Sequence, residues 1–261
     1  MPVTPRVLTS FEDKVAIVTG AAMGMGEATA RLFAEAKAKV IIADFNEEKG
    51  NEVAESIKAS GGQAAFVKVD ISKSEDVQAM VKFAVDTFGR LDVAVNNAAL
   101  TPDDKPVAEF DEDYWNRLIS VDLTGTALCL KYEIKQLEKQ GNGGSIINIS
   151  SVSGFRPQPK NIAYVAAKHG VVGMTKVAAM EYGPQNIRVN SVAPGAIDTP
   201  MLRGALEQFG FTAEEYAPQL SLLNRFGDPK EIAQASLWLA SDASSYVTGT
   251  TIHADAGYTS R

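Results

Sequence analysis

The chain carries one cysteine, Cys129, in 261 residues. No intrachain disulfide can form, and no cysteine-based zinc site is available. Two histidines, His169 and His253, are too few for a histidine-rich metal site, so no metal is expected. Positive charge is in deficit: 25 Lys+Arg stand against 32 Asp+Glu, for a net charge of −7. That balance argues against a protein built to hold nucleic acid or an anionic membrane surface. Long hydrophobic runs are missing too. None approaches the roughly 18 apolar residues that span a bilayer, and residues 1–14, MPVTPRVLTSFEDK, lack the apolar stretch of a secretory signal. A cytoplasmic protein is expected.

What is present is ordinary globular material, 45% hydrophobic and 22% charged. Open α/β domains often reach about 250 residues undivided, and a core of that size needs no covalent staple. Short β-branched runs at 14–19, 39–43, 64–69, 91–95, 145–149 and 188–192 read as strands, with a seventh near 250–254. Most are nearly continuous apolar runs, as parallel strands covered on both faces require. Helical patterns fill the gaps over 24–36, 47–60, 74–88, 111–138, 163–182 and 229–240. The alternation predicts an α/β fold: a single-domain, doubly wound parallel sheet of about seven strands with helices on both faces. The domain is read over 1–261, with an insertion near 198–226. In that insertion Thr212 and Glu215 form a plausible capping box for a short helix. Its apolar residues (Met201, Leu202, Leu206, Phe209, Phe211, Tyr216 and Leu220) suit an apolar, cyclic or medium-sized ligand, or packing of the loop itself.

The first strand runs into Thr19-Gly20-Ala21-Ala22-Met23-Gly24-Met25-Gly26 and then a helix. Glycines here permit a tight turn, close backbone approach to a pyrophosphate, and close packing of helix on strand. The helix N-terminus faces the anion with free N–H groups. No Gly-Lys-Ser/Thr follows, which excludes a Walker A loop. The second strand ends at Asp44, where a carboxylate can accept both ribose hydroxyls of an adenosine and repel an added phosphate. Neither Met23, Phe45 nor Asn46 is a cation that would hold that phosphate. NAD is therefore expected in preference to NADP.

Tyr164 and Lys168 lie four apart on a predicted helix and so share a face. Ser151 lies just past the fifth strand. A tyrosine phenol is a poor acid–base catalyst near neutral pH, and a neighbouring ammonium favours its anion. A serine hydroxyl can orient a substrate oxygen.

With these pieces in place, the chain resembles the short-chain dehydrogenase/reductase family from residue 14 to 257. The likeness rests on the glycine loop, Asp70-Ile71 after the third strand, Asn96-Asn97-Ala98-Ala99, and Asn148-Ile149-Ser150-Ser151. It continues through Tyr164-Val165-Ala166-Ala167-Lys168, Ala193–Thr199 and Ala254–Tyr258. The resemblance implies that Tyr164 is the acid/base, that Lys168 binds the nicotinamide ribose, and that Ser151 holds the substrate oxygen. It implies cofactor contacts from Gly20, Met23, Gly24, Met25, Asp44, Asp70, Ile71, Asn97, Ile197 and Thr199. It also implies a homotetramer acting on a small-molecule alcohol or ketone. Three positions depart from the family pattern. Asp122 stands where a catalytic asparagine is usual, Ala99 where glycine is usual, and Ala256 in the usual Asp-Gly-Gly. Asp122 adds a carboxylate beside Lys168, and its family role is expected to fall on the backbone carbonyl.

Other residues read more plainly. His169 and His253 read as packed, exposed or contact residues, Cys129 as core, Trp115 as packing, and Asp111 to Asp113 as the start of the long helix. An NAD-dependent oxidoreductase interconverting a secondary alcohol and a ketone is therefore expected. The alternative is a catalytically weak NAD-binding sensor or scaffold. An epimerase of the longer branch is disfavoured, because no separate substrate domain is read after the sheet.

Overall fold

Strand residues in this protein alternate between two buried faces. In the computed structural model, which describes residues 10–210 and 212–260 without the side chains of 208 and 209, β1 (Val15–Thr19) is buried along its whole length. Ala16 and Val18 join Val40 and Ile42 of β2 (Lys39–Asp44) in one core layer, whereas Val15 and Ile17 join Ile41 and Ala43 in the other. The same division continues through β4 (Val93–Asn96), with Val93 and Val95 on the first face and Ala94 on the second. A period of two with apolar residues at every position makes a sheet that must be covered on both sides.

Helices do the covering. The first layer receives α1 (Gly24–Glu35) through Phe33 and α9 (Pro229–Ala240) through Ile232 and Leu237. The second receives α3 (Ser74–Phe88) through Val77 and Met80, α5 (Thr126–Gln140) through Leu130 and Ile134, and α6 (Ile162–Tyr182) through Ala178 and Ala179. With α2 (Glu47–Ala59), β3 (Gln63–Lys68), β5 (Gly144–Ile149), β6 (Ile187–Pro194) and β7 (Thr251–Ala254), the sheet has seven strands in the order β3-β2-β1-β4-β5-β6-β7. Every pairing is parallel. The chain reverses direction across the sheet between β1 and β4, which opens a crevice at their carboxyl ends where ligands bind in such folds.

Two expectations change. The helix expected over 111–138 is α4 (Glu112–Leu118), a π-helical stretch Ile119–Gly125, and α5. Apolar spacing runs through the wide turn unbroken, so periodicity does not disclose it. Its Gly125 packs so close to Ile71 that an added Cβ would lie 2.8 Å from the Ile71 Cγ1 atom. The insertion holds two helices, α7 (Pro200–Phe209) and α8 (Ala213–Leu220), rather than one. Thr199 caps α7, Pro200 takes its first turn, and both halves of the Thr212–Glu215 capping box are formed. Phe211 and the Phe209 side chain, named above as possible lining, lie outside the described residues. Among the described residues no helix is long and apolar enough to cross a membrane.

Candidate active site

The glycine loop leaves β1 into a turn that only glycine tolerates at two points. Gly20 has φ +65°, and a Cβ there would lie 2.8 Å from Ala98 Cα. A Cβ on Gly26 would sit 2.0 Å from the Gly20 carbonyl oxygen, inside its van der Waals shell. Asn97 fastens the loop from β4: its amide donates to the Thr19 and Gly20 carbonyls at 3.0 and 3.2 Å. The Asn97 and Ala98 N–H groups donate in turn to Thr19 Oγ1. Asp44 ties the loop to β2, accepting from Ala22 N–H at 2.9 Å and Asn46 N–H at 2.8 Å. A carboxylate has about four acceptor positions, so Asp44 keeps capacity for ribose hydroxyls. No side chain caps α1, whose N-cap is Met23. Uncapped N–H groups behind a turn that admits no side chain at Gly20 or Gly26 suit the pyrophosphate of a dinucleotide.

Asp70 and Ile71 follow β3. The Asp70 carboxylate accepts from the Ser72 N–H and hydroxyl. Burial pushes its pKa up, but the Ser72 bonds and the Lys73 ammonium outweigh that and hold it below the ordinary value. Ile71 is buried against Gly125. At the other end of the crevice, Ile197 is buried and Thr199 starts α7 beside the loop, its methyl carbon 3.6 Å from where a Gly24 Cβ would lie.

Ser151, Tyr164 and Lys168 are brought together by β5 and α6. Ser151 follows β5 in extended conformation, and its Oγ accepts from Ser153 N–H at 3.1 Å. That leaves the hydroxyl proton available to a substrate oxygen. Tyr164 lies in the first turn of α6, half-buried against Leu118, Ala163 and Ala167. Lys168 is 3% exposed, with Nζ 5.3 Å from the Tyr164 ring centre and 3.3 Å from the Ile149 carbonyl oxygen. Asp122 is fully buried and pairs with Lys168 Nζ through Oδ2 at 3.5 Å. Its Oδ1 accepts from Leu100 N–H at 2.8 Å. Burial would depress the lysine pKa, but the charges of Asp122 and Tyr164 more than offset it and raise it. The same burial lifts Asp122 above the usual carboxylate range, against the pull of Lys168. The Asp122 carbonyl, expected to serve through its backbone, accepts the Thr126 hydroxyl at 2.8 Å. The Asp122 side chain adds a direct contact to Lys168 beside that carbonyl.

These side chains open on a cavity of about 750 Å³. Ser151 and Tyr164 stand in its wall, as do Met25, Ile197 and Thr199. From the insertion come Met201, Leu202, Leu206, Tyr216 and Leu220. Sequence reasoning missed further wall residues: Asp103, Phe110, Tyr114 and Trp115, with Tyr258 from the C-terminal end. Trp115 packs on Phe110 at 5.6 Å and still faces the cavity. No local signal marks these residues, because the loop after β4 reaches the site by tertiary packing. Cys129 is core, Asp111 caps α4, exposed His169 meets the Val165 carbonyl, and His253 packs in a tilted arrangement on Phe155 at 4.4 Å.

Known proteins resemble the chain over nearly its whole length. The family model described as enoyl-(acyl carrier protein) reductase matches residues 20–259. The chain is 52% identical over 249 residues to the short chain dehydrogenase/reductase astE of Aspergillus oryzae, covering 95% of each chain. It is 43% identical to 2,5-dichloro-2,5-cyclohexadiene-1,4-diol dehydrogenase of Sphingobium indicum, covering 97% of this chain and 99% of the relative. The crystal structure of levodione reductase superposes with a TM-score of 0.91 at 34% identity, over 96% of this chain and 99% of that one.

Proposed function

The chain belongs to the short-chain dehydrogenase/reductase family, whose members use a nicotinamide cofactor, and from that premise we propose that it is an NAD-dependent enzyme interconverting a secondary alcohol and a ketone. The observation that carries this is the grouping of Tyr164 and Ser151 in the cavity wall with the buried Lys168 ammonium behind them, 5.3 Å from the Tyr164 ring centre. NAD supplies the acceptor and donor of the hydride. Gly20, Met23, Gly24 and Met25 hold its pyrophosphate, and Asp44 takes the adenosine ribose. Asp70, Ile71 and Asn97 flank the adenosine side, Lys168 takes the nicotinamide ribose, and Ile197 and Thr199 take the carboxamide. Asp44, with no cation at Met23, Phe45 or Asn46, favours NAD over NADP.

Ser151 donates its free hydroxyl proton to the substrate oxygen and fixes its position. Tyr164 Oη accepts the alcohol proton during oxidation and returns it during reduction. Lys168, kept charged by Asp122, sets a positive charge 5.3 Å from the Tyr164 ring centre beside that exchange. The walls are carbon-rich, and the charged residues among them are Asp103, Asp104, Lys105, Asp111 and Lys160. A cyclic secondary alcohol suits them, and relatives are named for a cyclohexadiene diol and for levodione.

The active form is a homotetramer in the cytoplasm. On α6, Val177 and Met180 remain 53% and 81% exposed, while Ala178 and Ala179 beside them cover the sheet. A second protomer would bury that outer face, and light scattering that reports a monomer at micromolar protein overturns this.

The acid–base role is tested with Tyr164→Phe, which removes one hydroxyl. Folding and NAD binding should survive while turnover falls at least about 10²-fold. Near-normal turnover in a folded variant refutes the role.

A further inference from the structure

Asp103 lies in the loop between β4 and α4, 61 residues before Tyr164, yet its carboxylate closes the N-terminus of α6. The N-cap residue Asn161 makes no capping bond with its own side chain. Asp103 performs that work from across the fold. Its Oδ2 accepts from Ala163 N–H at 3.0 Å, and its Oδ1 accepts from the N–H of Tyr164 itself at 3.0 Å. The Asn161 side-chain amide donates back to the Asp103 carbonyl, so the contact is reciprocal. The loop is held at two further points. Leu100 N–H donates to Asp122 Oδ1 at 2.8 Å, and the Tyr114 hydroxyl donates to the Thr101 carbonyl at 2.6 Å. Thr101, Pro102 and Asp103 all line the cavity. One cavity wall and the start of the helix that carries Tyr164 are thus a single hydrogen-bonded unit.

We propose that Asp103 is a positioning residue, which sets the Tyr164 hydroxyl against the substrate wall by clamping the backbone from which that side chain departs. The proposal rests on the reading of Tyr164 as the proton-transfer group. First-turn N–H groups have no partners within their own helix, and the turn they belong to is the one that frays. A carboxylate there is favoured by the helix dipole, and its bonds are charge-assisted. Lys168 lies one turn further on, 3% exposed and held by Ile149 and Asp122, so it does not depend on this clamp. Loss of Asp103 should therefore displace the tyrosine and leave the lysine where it is. A residue that merely supported the fold would weaken both.

The experiment compares Asp103→Ala and Asp103→Asn with Tyr164→Phe, using NAD and cyclohexanol as probes. It reads kcat, KM, the NAD dissociation constant by fluorescence, and hydrogen exchange at the amides of 162–168. In Asp103→Ala, exchange at Ala163 and Tyr164 should quicken, and kcat should fall about 10- to 100-fold, the scale of an ångström-sized misplacement of a reacting group. NAD binding should hold. Asparagine offers one acceptor oxygen where two are used, so Asp103→Asn should fall between. Wild-type kcat in Asp103→Ala overturns the proposal, whatever the exchange shows. So does a parallel loss of NAD binding in both variants. A fully active Tyr164→Phe removes the acid–base reading beneath it, whereas a slow Tyr164→Phe beside an unimpaired Asp103→Ala removes only the role of Asp103.

Discussion

The two halves of the sheet are built from different materials. Interior positions of β1 and β2 are apolar almost throughout, and what lies at their carboxyl ends is a backbone turn. Behind β4, β5 and β6 the apolar core is interrupted by buried polar side chains. Asn96 donates to Glu133 at 2.9 Å and to Asn148 at 3.0 Å, and Asn148 donates to Thr175 at 2.9 Å. Ser145 donates to the Leu239 carbonyl, and Asn190 to that of Val247. Among the described residues, the buried side-chain oxygens without a hydrogen-bond partner are Asn96 Oδ1, Glu133 Oε1 and Asp122 Oδ2, all in this second half. An anion cradle can be made from N–H groups over an ordinary core. A site that holds a lysine and a carboxylate out of water needs buried polar groups behind it, because each unpaired buried group costs stability.

Asp44→Ala attacks the half where one side chain does what the backbone cannot. Hydrogen bonds to a charged group are worth about 1.5–3 kcal/mol each, so kcat/KM with NAD should fall at least about tenfold. The same change removes the repulsion that excludes a 2′-phosphate, so the gap to NADP should narrow. Steady-state kinetics with both cofactors measure this, and wild-type protein that already uses NADP as well as NAD contradicts it.

The unequal legibility of the halves has the same origin. Gly20, Gly24, Gly26 and Asp44 can be read in order because a local turn and the end of one strand need those residue types at that spacing. Tyr164 and Lys168 share one helix face and are readable for the same reason. Asp103, Tyr114 and Trp115 reach the cavity from a loop whose path is set by distant bonds, such as those of Asp103 to α6. The π turn that carries Asp122 is equally silent, since Leu118 with Val121 and Ile119 with Leu123 keep helical apolar spacings through it. Glu133 looks like an ordinary helix-surface residue in sequence and is fully buried.

Glu133 sharpens the contrast in stability rather than rate. Burial pushes its pKa up to about 7, with the Asn96 bond pulling the other way. Between the ordinary glutamate value of 4.5 and about 7, the unfolded chain ionises this group and the folded chain does not. Stability contributed by Glu133 is thus present in full below 4.5, is lost as pH rises, and levels off above about 7. Glu133→Gln keeps an acceptor for Asn96 and removes the titration. Its stability relative to wild type should rise across that window, by up to about 3 kcal/mol. Urea unfolding at several pH values would show it. A difference independent of pH would mean that this carboxyl ionises in the fold as it does in the open chain.

Asp122 gives the smallest expected effect and the finest test of the polar half. Its carboxylate holds Leu100 at 2.8 Å and Lys168 at 3.5 Å, and an asparagine can keep the first contact while losing the second charge. Lys168 is raised above the ordinary ammonium value because Asp122 outweighs the penalty of burial. Removing a negative charge makes every neighbouring proton easier to lose, so in Asp122→Asn the lysine should give up its proton at lower pH. The alkaline rise of alcohol oxidation should move to lower pH as well, for the same electrostatic reason. The expected result is a pH–rate profile displaced toward acid, with the maximal rate changed modestly. Profiles of both forms with NAD and cyclohexanol decide it. A gain of several orders of magnitude in Asp122→Asn would mean that the buried carboxylate disables the site, and that the natural chain binds its cofactor without efficient turnover. An unmoved profile would mean that Lys168 does not feel Asp122 across 3.5 Å, and the buried polar side chains behind β4 to β6 would then serve the fold alone.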